Sequence, residues 1–107
     1  MVDMMGIMKK AQEMQAKMQE LQAEMDRTEV TGQSGGGLVQ VTLTAHGTMR
    51  GLAVDPSLMK PEEKEILEDL VVTAHEDARR KAEALREGKM RGLTAGLPLP
   101  PGMKLPF

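Results

Sequence analysis

The sequence contains no cysteine and almost no aromatic residues. Without cysteine, disulfide bonds and thiolate metal sites are excluded, and a reducing compartment is expected. Phe107 is the single aromatic residue, which disfavours recognition of single-stranded nucleic acid by base stacking. No run approaches the roughly 20 apolar residues that cross a bilayer. Asp3, Lys9 and Lys10 interrupt the start of the chain, which argues against a signal peptide. These absences predict a cytoplasmic protein.

Methionine replaces the missing aromatic residues, with 11 copies in 107 residues. A chain of this length predicts one domain with a modest core. Methionine adapts to irregular gaps but specifies a rigid interior poorly. The composition therefore predicts a self-associating protein, in which a second copy completes the core.

Groupings typical of catalysis or metal binding are missing. His46 and His75 are the only imidazoles and share no motif. The segment GQSGGG (residues 32–37) is not followed by Lys-Ser/Thr and leads into a predicted strand, so it does not match a phosphate-binding loop. No serine occupies a nucleophile-elbow motif. The sequence predicts neither an enzyme nor a cofactor, metal or small-molecule substrate site.

A heptad pattern predicts the first helix, over residues 4–25. Its apolar positions are spaced alternately by three and four residues: Met4, Ile7, Ala11, Met14, Met18, Leu21 and Met25. Such a seam packs against one or two other helices.

Three short strands are predicted next, in residues 28–34, 38–44 and 48–55. Val39, Val41 and Leu43 alternate with polar residues, which indicates one buried and one wet face. The run SGGG predicts a turn that only glycine makes easily, and Gly47 predicts a hairpin connection. In the third strand, Leu52 and Val54 are expected on one side. The whole predicts an antiparallel meander.

The second helix is predicted to open at Pro61 and to end near Gly88 and Gly92. Its apolar stripe repeats every 3.6 residues: Leu67, Val71, Ala74, Ala78, Ala82 and Leu85. Residues 1–95 are therefore predicted as an α-β-β-β-α domain of the α+β class. Residues 96–107 form a proline-rich apolar tail, for which docking against another surface and disorder are both compatible with the composition.

Positive charge is concentrated near the end of an acidic chain. Residues 78–107 carry a net charge of +5, residues 28–77 carry −6, and residues 1–27 carry −1. Cations near a helix C-terminus suit the helix dipole, and three have an acid four residues upstream, in the pairs Glu76–Arg80, Asp77–Lys81 and Glu87–Arg91. A solvated helix surface is therefore one interpretation of residues 79–92. The first helix favours a different interpretation, in which the positive charge has a role other than helix stability. Its lysines lie at the positive end of the helix dipole, where they lower helix stability.

An antiparallel pairing of the two helices is expected to join these regions. The N-terminal half of the first helix would then meet the C-terminal half of the second, far from the sheet, and both halves are positive. This arrangement predicts a basic tip that binds a polyanion.

Three segments resemble the YbaB/EbfC family of nucleoid-associated proteins: GGLV (36–39), DPSL (55–58) and LPPGMKLPF (99–107). With the Met/Gln/Lys-rich first helix, the resemblance spans nearly the whole chain. It implies a tweezer-like homodimer joined through its sheets, and binding to double-stranded DNA with low sequence specificity. A role in nucleoid organisation and gene expression is implied as well. The DNA contacts carried over to the helical arms are Lys9, Lys10, Lys17, Arg79, Arg80, Lys81, Arg86, Lys89 and Arg91.

Two local departures from the family pattern are present: an N-terminal aromatic residue is missing, and TAHGT (44–48) replaces an Asn-Gly hairpin. An alternative function also remains open at this stage. A dimeric helical adaptor would bind a protein partner through its methionine-rich seams and apolar tail.

Overall fold

A computed structural model shows two helices joined by a three-stranded sheet, and it describes residues 3–94. The two helices and three strands follow one another as α1 (Met4–Arg27), β1 (Glu29–Ser34), β2 (Val39–Thr44), β3 (Met49–Val54) and α2 (Lys64–Thr94). Single turns of 3-10 helix precede β2 and α2. The predicted α-β-β-β-α order of the α+β class is confirmed. The proline-rich tail 96–107 lies outside the described residues.

The strands form an antiparallel sheet in the order β1-β2-β3, as the predicted meander requires. Gly35, Gly36 and Gly37 have φ of 61, 69 and 98° between β1 and β2. Gly47 has φ of 95° between β2 and β3. Residues with a Cβ rarely adopt such angles, which is why glycine occupies both connections. Both predicted turns are confirmed.

Helix α2 lies across one face of β1 and β2 and forms the main core with them. Its small residues allow a close approach: Ala74, Ala78 and Ala82 are fully buried. Val39, Val41 and Leu43 of β2 are buried with Leu58 in the same layer, which confirms the predicted inward face. The predicted apolar stripe of α2 is also confirmed, with its larger members packed at the edges of the core.

Strand β3 lies beyond the reach of α2. Leu52 and Val54 pair with Val41 and Val39, so they lie on the helix-bearing side of the sheet, as expected. Leu52 nevertheless stays 50% exposed and Met49 48% exposed. The edge of the sheet at β3 therefore carries uncovered apolar side chains.

The contact between the helices differs from the prediction. Leu21 and Met25, in the last two turns of α1, are buried with Ala45, and Leu85 and Met90 of α2 pack against them. The C-terminal end of α1, and not its N-terminal half, thus meets α2, and the junction adjoins the sheet. The cause is that α2 first crosses the sheet with residues 67–82, which leaves only its last three turns to run beside α1.

Both ends of α2 differ from the sequence prediction by a few residues. Pro61 begins a separate 3-10 turn, and the α-helix proper begins at Lys64. At the other end the helix continues through Gly88 and Gly92 to Thr94. Among residues 3–94, no atom beyond the adjacent residues of the helix lies within 4 Å of the place where a Cβ would be added at either glycine. Their lower helix propensity costs stability without ending the helix.

Candidate nucleic-acid interface

The N-terminal part of α1 extends beyond its junction with α2 and carries three lysines. Lys9, Lys10 and Lys17 are all exposed. Within residues 3–94, no hydrogen bond or ion pair involves any of the three. Lys10 and Lys17 are seven residues apart and therefore share one side of the helix, whereas Lys9 is about 100° away from Lys10. The helix begins with Asp3, whose carboxylate accepts a hydrogen bond from the Gly6 N–H at 3.1 Å.

Arg79 and Arg80 lie on the part of α2 that covers the sheet, and both contact Glu76. Arg79 Nη2 is 2.6 Å from Glu76 Oε1, and its Nη1 is 3.1 Å from Glu83 Oε2. Arg80 Nε is 3.6 Å from Glu76 Oε1. These contacts raise the pKa of Arg79, chiefly through its hydrogen bond to Glu76, and the same bond lowers the pKa of the Glu76 carboxyl. Arg79 is thus locally neutralised, whereas the Arg80 side chain remains 75% exposed.

Lys81 and Asp77 together cover the outer edge of β1. Asp77 Oδ2 accepts a hydrogen bond from the Gln33 N–H at 3.0 Å. Lys81 Nζ donates to the Thr31 carbonyl at 2.9 Å and is 3.2 Å from Asp77 Oδ2. The pKa of Asp77 is lowered, first by the Gln33 N–H and then by Lys81. This ion pair was expected from the four-residue spacing, but its position on a strand edge was not.

Arg86 and Lys89 hold the junction between the hairpin, α1 and α2. Arg86 Nη1 donates to the Ala45 carbonyl. Lys89 Nζ is 2.6 Å from Glu24 Oε1, and this hydrogen bond lowers the pKa of Glu24. Two cations that were assigned to DNA from the sequence therefore have intramolecular partners on two other elements.

The nine predicted residues do not converge on one surface of the protomer. Lys81, Arg86 and Lys89 point to three different elements, and Arg79 and Arg80 lie above the sheet. Arg91 is exposed in the last turn of α2. Only the lysines of α1 lie on a helix segment that projects from the rest of the described chain. The convergence at a shared tip was inferred from a helix pairing that the structure does not show.

Metal-binding and membrane-spanning features are absent from residues 3–94. No group of three or more His, Asp or Glu side chains there is arranged to hold a metal ion. No helix in this part of the chain is long and apolar enough to cross a membrane. His46 lies at the hairpin, with Nε2 3.3 Å from the Gln22 carbonyl and 3.5 Å from Asp26 Oδ1. It joins the hairpin to α1, and His75 is only partly buried on α2.

The YbaB/EbfC DNA-binding family matches residues 1–97. The chain belongs to this family. The match covers both helices and the whole sheet, so the elements that bear the basic residues are those of a nucleoid-associated, DNA-binding family.

Relatives of known name are similar over their full length. A nucleoid-associated protein of Methylocella silvestris is 66% identical over 107 residues, which is all of both chains. Nucleoid-associated proteins of Rhizobium meliloti and Agrobacterium fabrum are 61% and 60% identical, again over all of each chain. The crystal structure of an uncharacterized protein from Helicobacter pylori has the same fold. It is 25% identical with a TM-score of 0.75, over 87% of this chain and 98% of that one.

Proposed function

We propose that this protein binds double-stranded DNA as a homodimer and contacts phosphates with low sequence preference. Membership of a DNA-binding family supports the class of ligand. The observation that supports the contact surface is the set of three lysines on the projecting part of α1 that make no hydrogen bond or ion pair within residues 3–94. Lysine contacts to phosphate position a protein without reading bases. Binding of this kind fits a cytoplasmic, nucleoid-associated protein that affects nucleoid organisation and gene expression.

The proposed contacts divide into two groups according to their partners in the protomer. Lys9, Lys10 and Lys17 break no interaction within residues 3–94 when they bind phosphate, so they contribute most. The basic residues of α2 form the second group. Each would share or exchange an existing interaction on binding, which lowers its net contribution. This group comprises Arg79, Arg80, Lys81, Arg86, Lys89 and Arg91.

Salt dependence tests the phosphate contacts. If about six contacts form, the affinity for a duplex of arbitrary sequence falls roughly 10³-fold between 50 and 200 mM salt. A gel-shift titration across this range, with two duplexes of unrelated sequence, measures both the slope and the lack of preference. Binding that does not respond to salt, or that requires one sequence, contradicts the proposal.

A pair of triple variants locates the surface. Lys9→Gln/Lys10→Gln/Lys17→Gln is expected to reduce affinity strongly and to flatten the salt slope by about three contacts per protomer. The matched control is Arg27→Gln/Lys60→Gln/Lys64→Gln, which removes the same charge from exposed positions away from both the α1 lysines and β3. Equal losses in the two variants would show that net charge alone governs binding.

Self-association is proposed to occur at the β3 edge. The outer edge of β1 is occupied by Asp77 and Lys81 of α2, so it offers no free template for another strand. Within residues 3–94, no side chain of α2 hydrogen-bonds to the opposite edge, and that edge carries the half-exposed side chains of Met49 and Leu52. A second copy joined there would bury these side chains and leave both α1 helices free as the arms of the tweezers.

A second candidate function rests on the exposed apolar side of α1. Met4, Ile7 and Met8 are 68, 55 and 59% exposed, as expected of a dimeric adaptor that binds a protein partner. The lysine triple variant separates the two functions. DNA retention collapses under the first proposal, whereas a protein complex formed by apolar contacts survives the loss of charge.

A further inference from the structure

The heptad seam of α1 is only partly used within residues 3–94. Its last two positions are buried at the junction with α2, the two before them are partly buried, and the first three are exposed. The first five positions, here called the distal seam, are Met4, Ile7, Ala11, Met14 and Met18. Met4 is 68% and Ile7 is 55% exposed. A continuous apolar stripe that begins inside a packed junction and continues into solvent indicates a missing partner along the same line.

The described part of the chain ends with α2, near the end of the distal seam that adjoins the junction. Arg86 of α2 donates to the Ala45 carbonyl, and the Ala45 N–H donates to the carbonyl of Thr28, the residue after α1. Three residues further along α2, Lys89 contacts Glu24 of α1. Helix α2 therefore advances as α1 is followed backwards, and the two ends are antiparallel. Thr94, the last residue of α2, follows Lys89 by about 7 Å of helical rise. By this count the end of α2 is level with residues 18–20 of α1, next to Met18 of the distal seam.

The segment that follows has the composition and length to cover the distal seam. Apolar residues occupy every second position: Leu97, Leu99, Pro101, Met103, Leu105 and Phe107. In an extended chain, alternate residues share one face. Residues 95–107 reach about 43 Å when extended at ~3.3 Å per residue, and about 22 Å of α1 separates residue 19 from Met4.

We propose that residues 95–107 run along α1 of the same protomer and pack their alternating apolar residues on the distal seam. Proline suits this role because it has no N–H to leave unsatisfied against a helix and loses little backbone freedom on docking. The segment also suits the charge of α1. It brings a single cation, Lys104, to a surface that already carries three lysines, whereas a second copy of α1 would bring three more.

This inference goes beyond DNA binding and does not depend on it. It assigns residues 95–107 as the third layer of the arm, after α1 and α2. It also removes the apolar surface that a protein-binding adaptor would need.

Cysteine cross-linking tests the proposal cleanly because the chain has no cysteine. In the full-length protein, Ala11→Cys is combined in turn with Leu97→Cys, Leu99→Cys or Met103→Cys, without DNA. The matched control replaces Ala11→Cys by Ala16→Cys. Ala16 is also an exposed alanine but lies roughly 140° around α1 from Ala11 and away from the seam. Non-reducing gels and peptide mass mapping measure the disulfides after mild oxidation.

The expected result is an intrachain disulfide between the Ala11→Cys site and at least one tail position, with a yield roughly tenfold above that of the Ala16→Cys control. Three results would overturn the proposal. They are equal yields from the two faces, no disulfide with any tail position, and disulfides only between chains. Mixing the single variants Ala11→Cys and Leu99→Cys identifies the last case, since a mixed dimer means that the partner copy supplies the tail.

Discussion

At the scale of single residues, Gly32 sets the distance between the sheet and α2. A Cβ at this position would lie 2.2 Å from the Ala78 nitrogen and 2.3 Å from the Ala74 oxygen. Both are backbone atoms of a packed helix, so they cannot move aside as a flexible side chain does. We therefore expect Gly32→Ala to reduce the free energy of unfolding by at least ~1–3 kcal/mol, as overpacked cores do. Urea unfolding followed by circular dichroism measures the loss.

Gly51→Ala is the matched control, on β3. The nearest atom to its added Cβ is Thr42 Cβ at 3.8 Å, which is ordinary van der Waals contact. Its stability should stay within about 1 kcal/mol of the wild type. Equal losses in the two variants would mean that the approach of α2 to β1 does not limit the size of residue 32.

The Asp77 carboxylate makes stability depend on pH. Its pKa is lowered from 3.8 by the Gln33 N–H and by Lys81, so the folded state favours the ionised form. That contribution is complete above the unfolded pKa and disappears as the pH falls through the lowered folded pKa. We expect Asp77→Asn to be less stable than the wild type at pH 7, and the difference to shrink as the pH falls below about 4. Thermal unfolding at a series of pH values tests this.

Asp69→Asn provides the comparison for that series. Asp69 is an exposed carboxylate of the same helix, and within residues 3–94 its side chain makes no hydrogen bond or ion pair. The substitution removes the same charge from α2 without removing a contact to β1. An Asp77→Asn profile parallel to the wild type would show that the carboxylate contact with β1 contributes no ionic stabilisation.

At the scale of secondary-structure elements, local periodicity predicted the helices, the strands and their order. The alternation of Val39, Val41 and Leu43 identified the buried side of β2, because a half-buried strand exposes every second residue. Glycine was less reliable as a signal. Gly47 marked a connection correctly, whereas Gly88 and Gly92 did not end α2, since a helix tolerates glycine where nothing else requires it to stop.

The candidate site was predictable in its residue types but not in its geometry. Spacing identified the Glu76–Arg80 and Asp77–Lys81 pairs, because such contacts are local. No local pattern places Lys89 beside Glu24, 65 residues away. That contact depends on how far α2 has crossed the sheet before it meets α1. Which of the basic residues have a partner on another element could therefore be learned only from the tertiary structure.

The Glu24–Lys89 contact makes a prediction about how the helices are joined. Glu24→Lys or Lys89→Glu alone places like charges where the atoms are now 2.6 Å apart, so each should lower the melting temperature. Combining both substitutions restores an opposite pair and should recover much of the loss. Hydrogen exchange of residues 18–27 provides a local readout. If the double variant is as unstable as the sum of the single ones, the pair does not hold the helix ends together.

At the scale of the whole molecule, side chains of α2 cover the β1 edge of the sheet, whereas the β3 edge carries exposed apolar side chains. This difference predicts that two copies join at β3. Leu52→Glu places a charge among the exposed side chains of β3, and we expect it to convert a dimer into a folded monomer. Ile66→Glu is the control, because Ile66 is also 50% exposed but lies on α2, away from β3. Sedimentation equilibrium measures the mass, and circular dichroism confirms that each variant is folded.

Dissociation should also weaken DNA binding. Two linked arms make the second contact intramolecular, so the monomer should lose about 10²-fold in affinity at fixed salt even though its lysines are intact. A folded Leu52→Glu protein that keeps the mass of a dimer would place the interface elsewhere. A monomer with undiminished affinity would instead retain the α1 lysines as the DNA-binding surface and show that one arm is sufficient.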